Sequence, residues 1–309
     1  MSNEKARVLF YGTPYFAART LEMMFAYGLN IAGVITQPDR SAGRGKRLSP
    51  SAVKELADKY NLLVFQPASN DELIGIIKQI NPDIAVVCAY GNILSEEVLN
   101  LPQYGSLNIH GSLLPKYRGP SPIASAIMNG DAETGITIIK MIQKMDAGPI
   151  VNQSRIKIAR DETTASLYLK LAQLSGEEIC RTLPLYLAGE IPVRDQDDAH
   201  ASYCSLIKKE DGRIDWQRKA GEIERTVRAF IPWPNAYTFW QGKMIKILSA
   251  RVVEKALDPG YVVVVGKNMF VGCGQDAIEI LKLQMQDREV ITTEDFLNGN
   301  RQIDGAILT

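Results

Sequence analysis

From Arg7 to His110 the chain alternates short, nearly continuous apolar runs with stretches whose apolar residues recur at helical spacing. Few architectures accommodate that order. The apolar runs are Arg7 to Tyr11, Ile31 to Thr36, Leu62 to Phe65, Ile84 to Cys88 and Ser106 to His110. Between the first two, Ala17, Leu21 and Met24 mark a helix, with Thr13 as its cap, Pro14 at its first position and Gly28 at its end. Further helices are expected over Ser51 to Tyr60, Asp71 to Ile80 and near Ser95 to Leu99. Strands apolar on both faces and separated by helices belong to a parallel sheet covered on both sides. An α/β, Rossmann-like domain with a mostly parallel sheet follows.

Beyond His110 the order changes. A helix near Ile123 to Asn129 precedes two strand-like runs, Gly135 to Met141 and Pro149 to Ile158, with Asp146-Ala147-Gly148 as a turn between them. That reads as a hairpin on the sheet edge. A long helix starts at Thr164, with a kink expected at Pro184 and an end at Gly189. The chain then turns polar, so residues 190–204 are expected to link a first domain, 1–189, to a second, 205–309. Two domains also suit 309 residues, about twice the usual size of one. The second domain has a helix, Ala220 to Phe230, then short runs rich in valine and aromatics: Ala236 to Trp240, Met244 to Val253, Tyr261 to Val265, Met269 to Cys273 and Ala277 to Leu283. Strands so spaced suggest a small β-barrel of the oligonucleotide-binding type.

With 35 basic and 35 acidic side chains, any affinity for nucleic acid or membrane has to come from local patches. Two patches are basic. Thr36 to Pro50 carries Arg40, Arg44, Lys46 and Arg47 against one acid, Asp39, and Lys208 to Lys255 carries eleven basic against six acidic residues. Cys88, Cys180, Cys204 and Cys273 are too far apart for a metal or redox pair, and read as reduced thiols. The run Val8 to Tyr11 is short for a signal peptide, and Ile84 to Tyr90 falls far below the ~20 residues of a membrane span. A cytoplasmic protein with no membrane partner is expected.

The strongest chemical signal is the strand Ser106 to His110. Asn108 and His110, two apart, project from one face at the carboxyl end of the strand, where open parallel sheets hold their ligands. His110 is a candidate acid or base, an ordinary strand-end histidine bonded to backbone being the alternative. Asp146 is either a turn former or the carboxylate that orients His110. The stretch Arg40 to Arg47 is either a solvated loop or, through its cations, a phosphate-binding one; its composition predicts no order of its own. Pro115 to Pro122 reads as a stiff basic wall beside the histidine strand or as a plain connection.

Taken together, Asn108-x-His110-x-Ser112-Leu113-Leu114-Pro115-x-x-Arg118-Gly119, Thr137 and Met145-Asp146-x-Gly148 resemble the signature of the folate-dependent formyltransferases. The resemblance spans both domains, from Phe10-x-Gly12-Thr13-Pro14 through Thr36 to Lys46 and Ala89-Tyr90-Gly91 to Ile214-Asp215-Trp216 and Arg228 to Pro234. Within that superfamily the basic loop and second domain resemble the tRNA-directed branch. The resemblance implies transfer of the formyl group of 10-formyltetrahydrofolate to the amino group of the methionyl moiety of initiator methionyl-tRNA. Asn108, His110 and Asp146 would be catalytic. Ser112, Leu113, Leu114 and Pro115, with Ala89, Tyr90 and Gly91, would line the folate site, and Arg40, Arg44, Lys46 and Arg47 would hold tRNA beside the barrel. No metal is implied, and a monomer is expected. Many relatives carry a later acid where this chain has Pro149, which puts any role of that acid in doubt. A formyltransferase for a small amine, a formyltetrahydrofolate hydrolase and a catalytically idle RNA-binding protein are the competing readings.

Overall fold

A computed structural model describes residues 6–42 and 47–309. The chain forms two compact units, each assembled from separated stretches: Met1–Gly119, Thr134–Ile156 and Tyr168–Cys204 in the first, and Pro120–Glu133, Lys157–Leu167 and Ser205–Thr309 in the second.

The first unit is built on β1 (Arg7–Gly12), α1 (Tyr15–Ala26), β2 (Asn30–Ile35), β3 (Arg40–Ala42), β4 (Arg47–Ser49), α2 (Ala52–Lys59), β5 (Val64–Phe65), α3 (Asn70–Ile80), β6 (Ile84–Cys88), α4 (Glu96–Asn100) and β7 (Ser106–His110). After α5 (Pro122–Met128), which belongs to the second unit, come β8 (Glu133–Lys140), β9 (Ile150–Lys157) and the long α6 (Thr164–Leu187), whose helical assignment continues through Pro184. Serine side chains start three of these helices: Ser51, Ser69 and Ser95 each accept a hydrogen bond from the backbone N–H three residues on. Thr13 does not cap α1 as expected. Its hydroxyl instead donates to the Tyr90 carbonyl at 2.8 Å, tying the end of β1 to the loop after β6.

The seven-stranded sheet runs β5-β2-β1-β6-β7-β8-β9. It is parallel from β5 to β7, and β8 pairs antiparallel with β7, so the sheet is mixed at the hairpin edge. Because β2 lies on one side of β1 and β6 on the other, the strand order reverses there, and a crevice opens at the carboxyl ends of β1 and β6. One sheet face buries Leu9, Tyr11, Ala85 and Val87 against Leu73, Ile77 and Ile80 of α3 and Val98 and Leu99 of α4. On the opposite face α1 places Thr20 beside Cys88 and, through a 2.7 Å hydroxyl contact with Ser175, against α6. Register carries the first face onward: Tyr11 pairs with Val87, Val87 with Asn108 and Asn108 with Ile139, so Asn108 stands in the same row as the core.

The second unit holds α7 (Ala220–Ala229), β10 (Ala236–Trp240), β11 (Lys243–Val253), β12 (Val262–Val265), β13 (Asn268–Gly272), β14 (Ala277–Met285), β15 (Val290–Thr292) and α8 (Thr293–Leu297). Its antiparallel sheet runs β10-β11-β14-β13-β12, with β15 added on β14. The last residues bridge its two ends: Val262 N–H donates to the Ala306 carbonyl at 2.9 Å, and Phe239 and Thr309 exchange two backbone bonds of 2.8 and 3.1 Å. The sheet thereby closes on itself, which leaves little open edge. Inside lie Trp216, Ile223, Val227, Ile247, Met269, Ile280 and Phe296, and the Trp216 indole spends its N–H on Thr238 Oγ1 at 3.1 Å.

Three elements depart from expectation. The basic stretch is a two-stranded ribbon, with Arg40 opposite Ser49 and Ala42 opposite Arg47. β15 and α8 were not expected, being too short to show a hydrophobic period. Residues 190–204 are hydrogen-bonded onto the first unit, Arg194 exchanging two backbone bonds with Ile150.

Candidate active site

Strand β7 delivers Asn108 and His110 to one face at its carboxyl end, and the turn after β8 brings Asp146 to them. Asn108 Nδ2 donates to Asp146 Oδ1 at 3.3 Å. His110 Nδ1 lies 3.6 Å from Asp146 Oδ2, an ion-pair separation longer than a hydrogen bond. The other imidazole nitrogen, Nε2, is 2.8 Å from the Tyr117 carbonyl oxygen, so it carries a proton and donates there. His110 is nearly enclosed, at 6 % exposure, while Asn108 is half-buried, so the amide presents surface to a ligand and the imidazole backs it. His110 is thus bonded to backbone, as one sequence alternative had it, and its other edge faces the Asp146 carboxylate.

The loop after β7 builds the other wall. Gly119 N–H donates to Asp146 Oδ2 at 2.9 Å, so that oxygen faces both a backbone donor and His110. Gly119 is required there: its φ is +122°, and a Cβ would lie 2.2 Å from the Cys204 carbonyl oxygen. Tyr117 and Asp146, with φ of +60° and +50°, and Ala89, with +46°, are left-handed non-glycine residues around the site. Backbone strain of that kind persists where surrounding bonds over-determine it, and it clusters at functional sites. Thr137, paired with His110 across the strands, accepts from Leu114 N–H at 3.0 Å and donates to the Ser112 carbonyl at 2.6 Å; Gln153 Nε2 adds a 2.9 Å bond to the Leu114 carbonyl. Of the seven residues expected to line a folate site, four lie in this loop: Ser112 and Leu114 are enclosed and serve the loop's own structure, while Leu113 and Pro115 keep surface.

Ala89 and Gly91 are exposed in the loop after β6, and Tyr90 is buried between them. The Tyr90 ring meets Tyr11 edge to face at 5.6 Å, and burial pushes both phenols up, so they stay neutral. The Tyr90 carbonyl accepts from Thr13 Oγ1 and, at 3.0 Å, from Gln37 Nε2, whose Oε1 accepts from Arg40 Nη2. The base of the basic ribbon is thus wired to this loop. Lys54 clamps it further by donating to Asp39 at 2.7 Å. Arg44 and Lys46 lie outside the described residues, and Arg47 is described in its backbone alone. Ile93, two residues beyond Gly91, and Ile142 and Met145, before Asp146, are exposed apolar side chains.

Residues that sequence reasoning missed act through backbone or from afar: the Tyr117 carbonyl, the Gly119 amide and Gln196. Arg118, expected in a basic wall, is 1 % exposed and bound by Gln196, Tyr203 and Asp198, the last at 2.7 Å. Arg118 and then Lys144 hold the Asp198 carboxyl below its ordinary value of 3.8. A carboxyl lowered in the fold adds stability above its unfolded value and loses it as pH falls through the lowered one. The tie from Asp198 to Arg118 is therefore intact at neutral pH and is lost only as pH falls below the ordinary carboxylate value, the Gln196 bonds to Arg118 staying in place. Amide hydrogen exchange followed against pH should show residues 197–200 losing protection before the sheet does. Among the described residues no group of three or more His, Cys, Asp or Glu side chains is placed to hold a metal, and no helix is long and apolar enough to cross a membrane. Burial pushes the Cys88 thiol up to about 12 and those of Cys180 and Cys273 up to about 11, which leaves them protonated and unreactive.

Residues 5–183 match the family model "Formyl transferase", and residues 206–301 match "Formyl transferase, C-terminal domain". The methionyl-tRNA formyltransferase of Methylococcus capsulatus is 43% identical over 298 residues, covering 95% of this chain and 97% of its relative. The chain belongs to the formyl transferase family, among the methionyl-tRNA formyltransferases. A second such formyltransferase, from Caldanaerobacter subterraneus, is 42% identical over 307 residues, covering 98% of this chain and 99% of its own. Solved structures are also similar in fold. The sugar 3N-formyl transferase WlaRD superposes with a TM-score of 0.67 at 17% identity, over 93% of this chain and all of its own. HypX from Aquifex aeolicus, in complex with tetrahydrofolic acid, superposes with a TM-score of 0.65 at 18% identity, over 95% of this chain and 47% of its own. Both matched family domains fall on the α/β sheet and the antiparallel sheet described above, so the expected fold class holds.

Proposed function

We propose that this chain transfers the formyl group of 10-formyltetrahydrofolate to the amino group of the methionyl moiety of initiator methionyl-tRNA, for translation initiation. The observation that carries this reading is Asp146 held against both Asn108 and His110 at the carboxyl edge of the sheet, in a chain whose full-length relatives carry that activity. The co-substrate, when bound, supplies an activated formyl carbon. Everything else falls to side chains.

Asn108 has a second amide hydrogen beyond the one it gives Asp146, and this can meet the negative charge that grows on a carbonyl oxygen under attack. Asp146 holds that amide in place, so the donor needs no reorganisation. A proton must leave the attacking amine and reach the departing folate nitrogen. Asp146 and His110 are the titratable pair beside that path, with His110 oriented through Nε2 by the Tyr117 carbonyl. No covalent nucleophile is required, so much of the acceleration comes from holding amine and formyl carbon in line. Asn108, His110 and Asp146 all come from one chain, which suits a monomer as the working unit. An initiator tRNA as substrate suits a cytoplasmic enzyme.

Arg40, Arg44, Lys46 and Arg47 are assigned to phosphates of the tRNA. A quadruple alanine variant should bind charged tRNA more weakly and with a shallower salt dependence, since each lost phosphate contact removes a slope of about 0.7 to 0.9. Folate affinity should stay unchanged. Arg44 stands between Gly43 and Gly45, where backbone can approach RNA closely and a planar guanidinium can make paired contacts, so Arg44→Lys should also weaken binding. The measurement is tRNA affinity against salt for the three proteins. Superimposable lines would remove the ribbon from the interface and favour a small-amine acceptor.

A further inference from the structure

Gln196 lies outside every motif of the site, yet each of its amide atoms is committed to it. Its Oε1 accepts from Arg118 Nε at 3.1 Å and Nη2 at 2.8 Å. Its Nε2 donates to the backbone carbonyls of Asp146 at 2.8 Å and Gly148 at 2.7 Å. One side chain therefore joins a buried arginine to the turn that carries the carboxylate.

That turn has a conformation to maintain. Asp146 is left-handed at φ +50°, and Gly148 packs so closely that a Cβ would lie 1.9 Å from the Lys140 carbonyl oxygen. Aspartate tolerates that conformation, but the carbonyls of Asp146 and Gly148 take their donor from outside the turn, from Gln196. Arg118 is a suitable anchor, being 1 % exposed and tied also to Asp198 and Tyr203. Its own backbone is pinned by bonds from Arg118 N–H to the Ser202 carbonyl at 2.8 Å and from Cys204 N–H to the Arg118 carbonyl at 2.9 Å. The residues flanking Arg118 supply the carbonyl that holds His110 and the amide that holds Asp146 Oδ2. Arg118 thus fixes the imidazole through its chain neighbours and the carboxylate through Gln196.

We propose that Gln196 is a positioning residue for formyl transfer, fixing the Asp146 backbone to Arg118 so that one carboxylate meets Asn108 and His110 together. The inference rests on the catalytic reading of Asp146 given above. It makes the polar stretch after α6 part of the reaction site.

Gln196→Glu keeps an acceptor for Arg118 but cannot donate to the two carbonyls, and Gln196→Met removes both functions at similar volume. Both variants are to be assayed for formyl transfer to charged tRNA, beside wild type, Asp146→Asn and the double variants, with melting temperature and KM for each substrate. The Glu variant should stay folded, melting somewhat below wild type because two carbonyls lose their donor, and keep both KM values while kcat falls about 10- to 100-fold, the effect of a small misplacement of a reacting group. In the Asp146→Asn background the same change should cost nothing further, because the residue acts only through that carboxylate. A Glu variant within threefold of wild type, or a loss that adds fully to that of Asp146→Asn, overturns the proposal. Should the Glu variant fail to fold, the Met variant is scored by the same two criteria. An unimpaired Asp146→Asn would instead remove the catalytic reading itself, so the two failures are distinct.

Discussion

Alanine at Asn108 or His110 should leave a folded protein whose kcat for formyl transfer is about 10²- to 10⁴-fold below wild type. Asn108 is half-buried and its visible bond goes to Asp146, so truncation removes a donor from the crevice without opening the core. His110 is more enclosed, and its loss leaves the Tyr117 carbonyl without that partner. The alanine there should therefore also lower stability by about 1 to 3 kcal/mol. Single-turnover transfer to charged tRNA, read with thermal unfolding, separates the two effects. Near-wild-type turnover in either variant would sink the assignment.

Asp146→Asn should be impaired on a similar scale, and for a reason visible in the donors around it. The carboxylate offers only acceptors, and two donors meet it, Asn108 Nδ2 and Gly119 N–H, with the Nδ1 edge of His110 3.6 Å away. An asparagine turns one oxygen into a donor, and either way round this new N–H₂ points at Asn108 or at Gly119. The geometry that holds Asn108 and His110 together is lost while the backbone remains. We expect kcat to fall about 10²- to 10⁴-fold with folate affinity retained, as an orienting group acts mainly on the chemical step. Equilibrium folate binding and rapid-quench transfer check this. A variant that merely melts lower with normal kcat would make Asp146 a turn former only.

The legible parts of this protein are those whose signal is local. The run Ile84 to Cys88 and the strand Ser106 to His110 stand in the structure at the boundaries read from their apolar patterns, as does Ala236 to Trp240. Period two along β7 sufficed to place Asn108 and His110 on one face. The edge hairpin was legible from its turn residues, although the positive φ falls on Asp146 and not on the glycine two residues later. Patterns failed where an element is held by its surroundings. The ribbon β3–β4 pairs three residues a side in a polar, glycine-rich stretch, and is anchored instead by Gln37 reaching Tyr90 and by Lys54 reaching Asp39. Thr13 looked like a cap because a threonine before proline usually is one, but a carbonyl 77 residues away took its hydroxyl.

By itself the sequence determined the order of the main strands and helices and the placing of Asn108 and His110 on one face of β7, because hydrophobic period and side-chain chemistry are properties of neighbours in the chain. Only the tertiary structure decided that Asp146 meets both Asn108 and His110, that the Tyr117 carbonyl and Gly119 amide complete the site, and that Gln196 ties the turn to a buried Arg118. The Tyr117, Gly119 and Asp146 contacts join residues up to 50 positions apart and use backbone groups that every residue carries, so no residue type announces them. They exist because buried donors and acceptors must be paired, and which ones pair is settled when the loops close over one another.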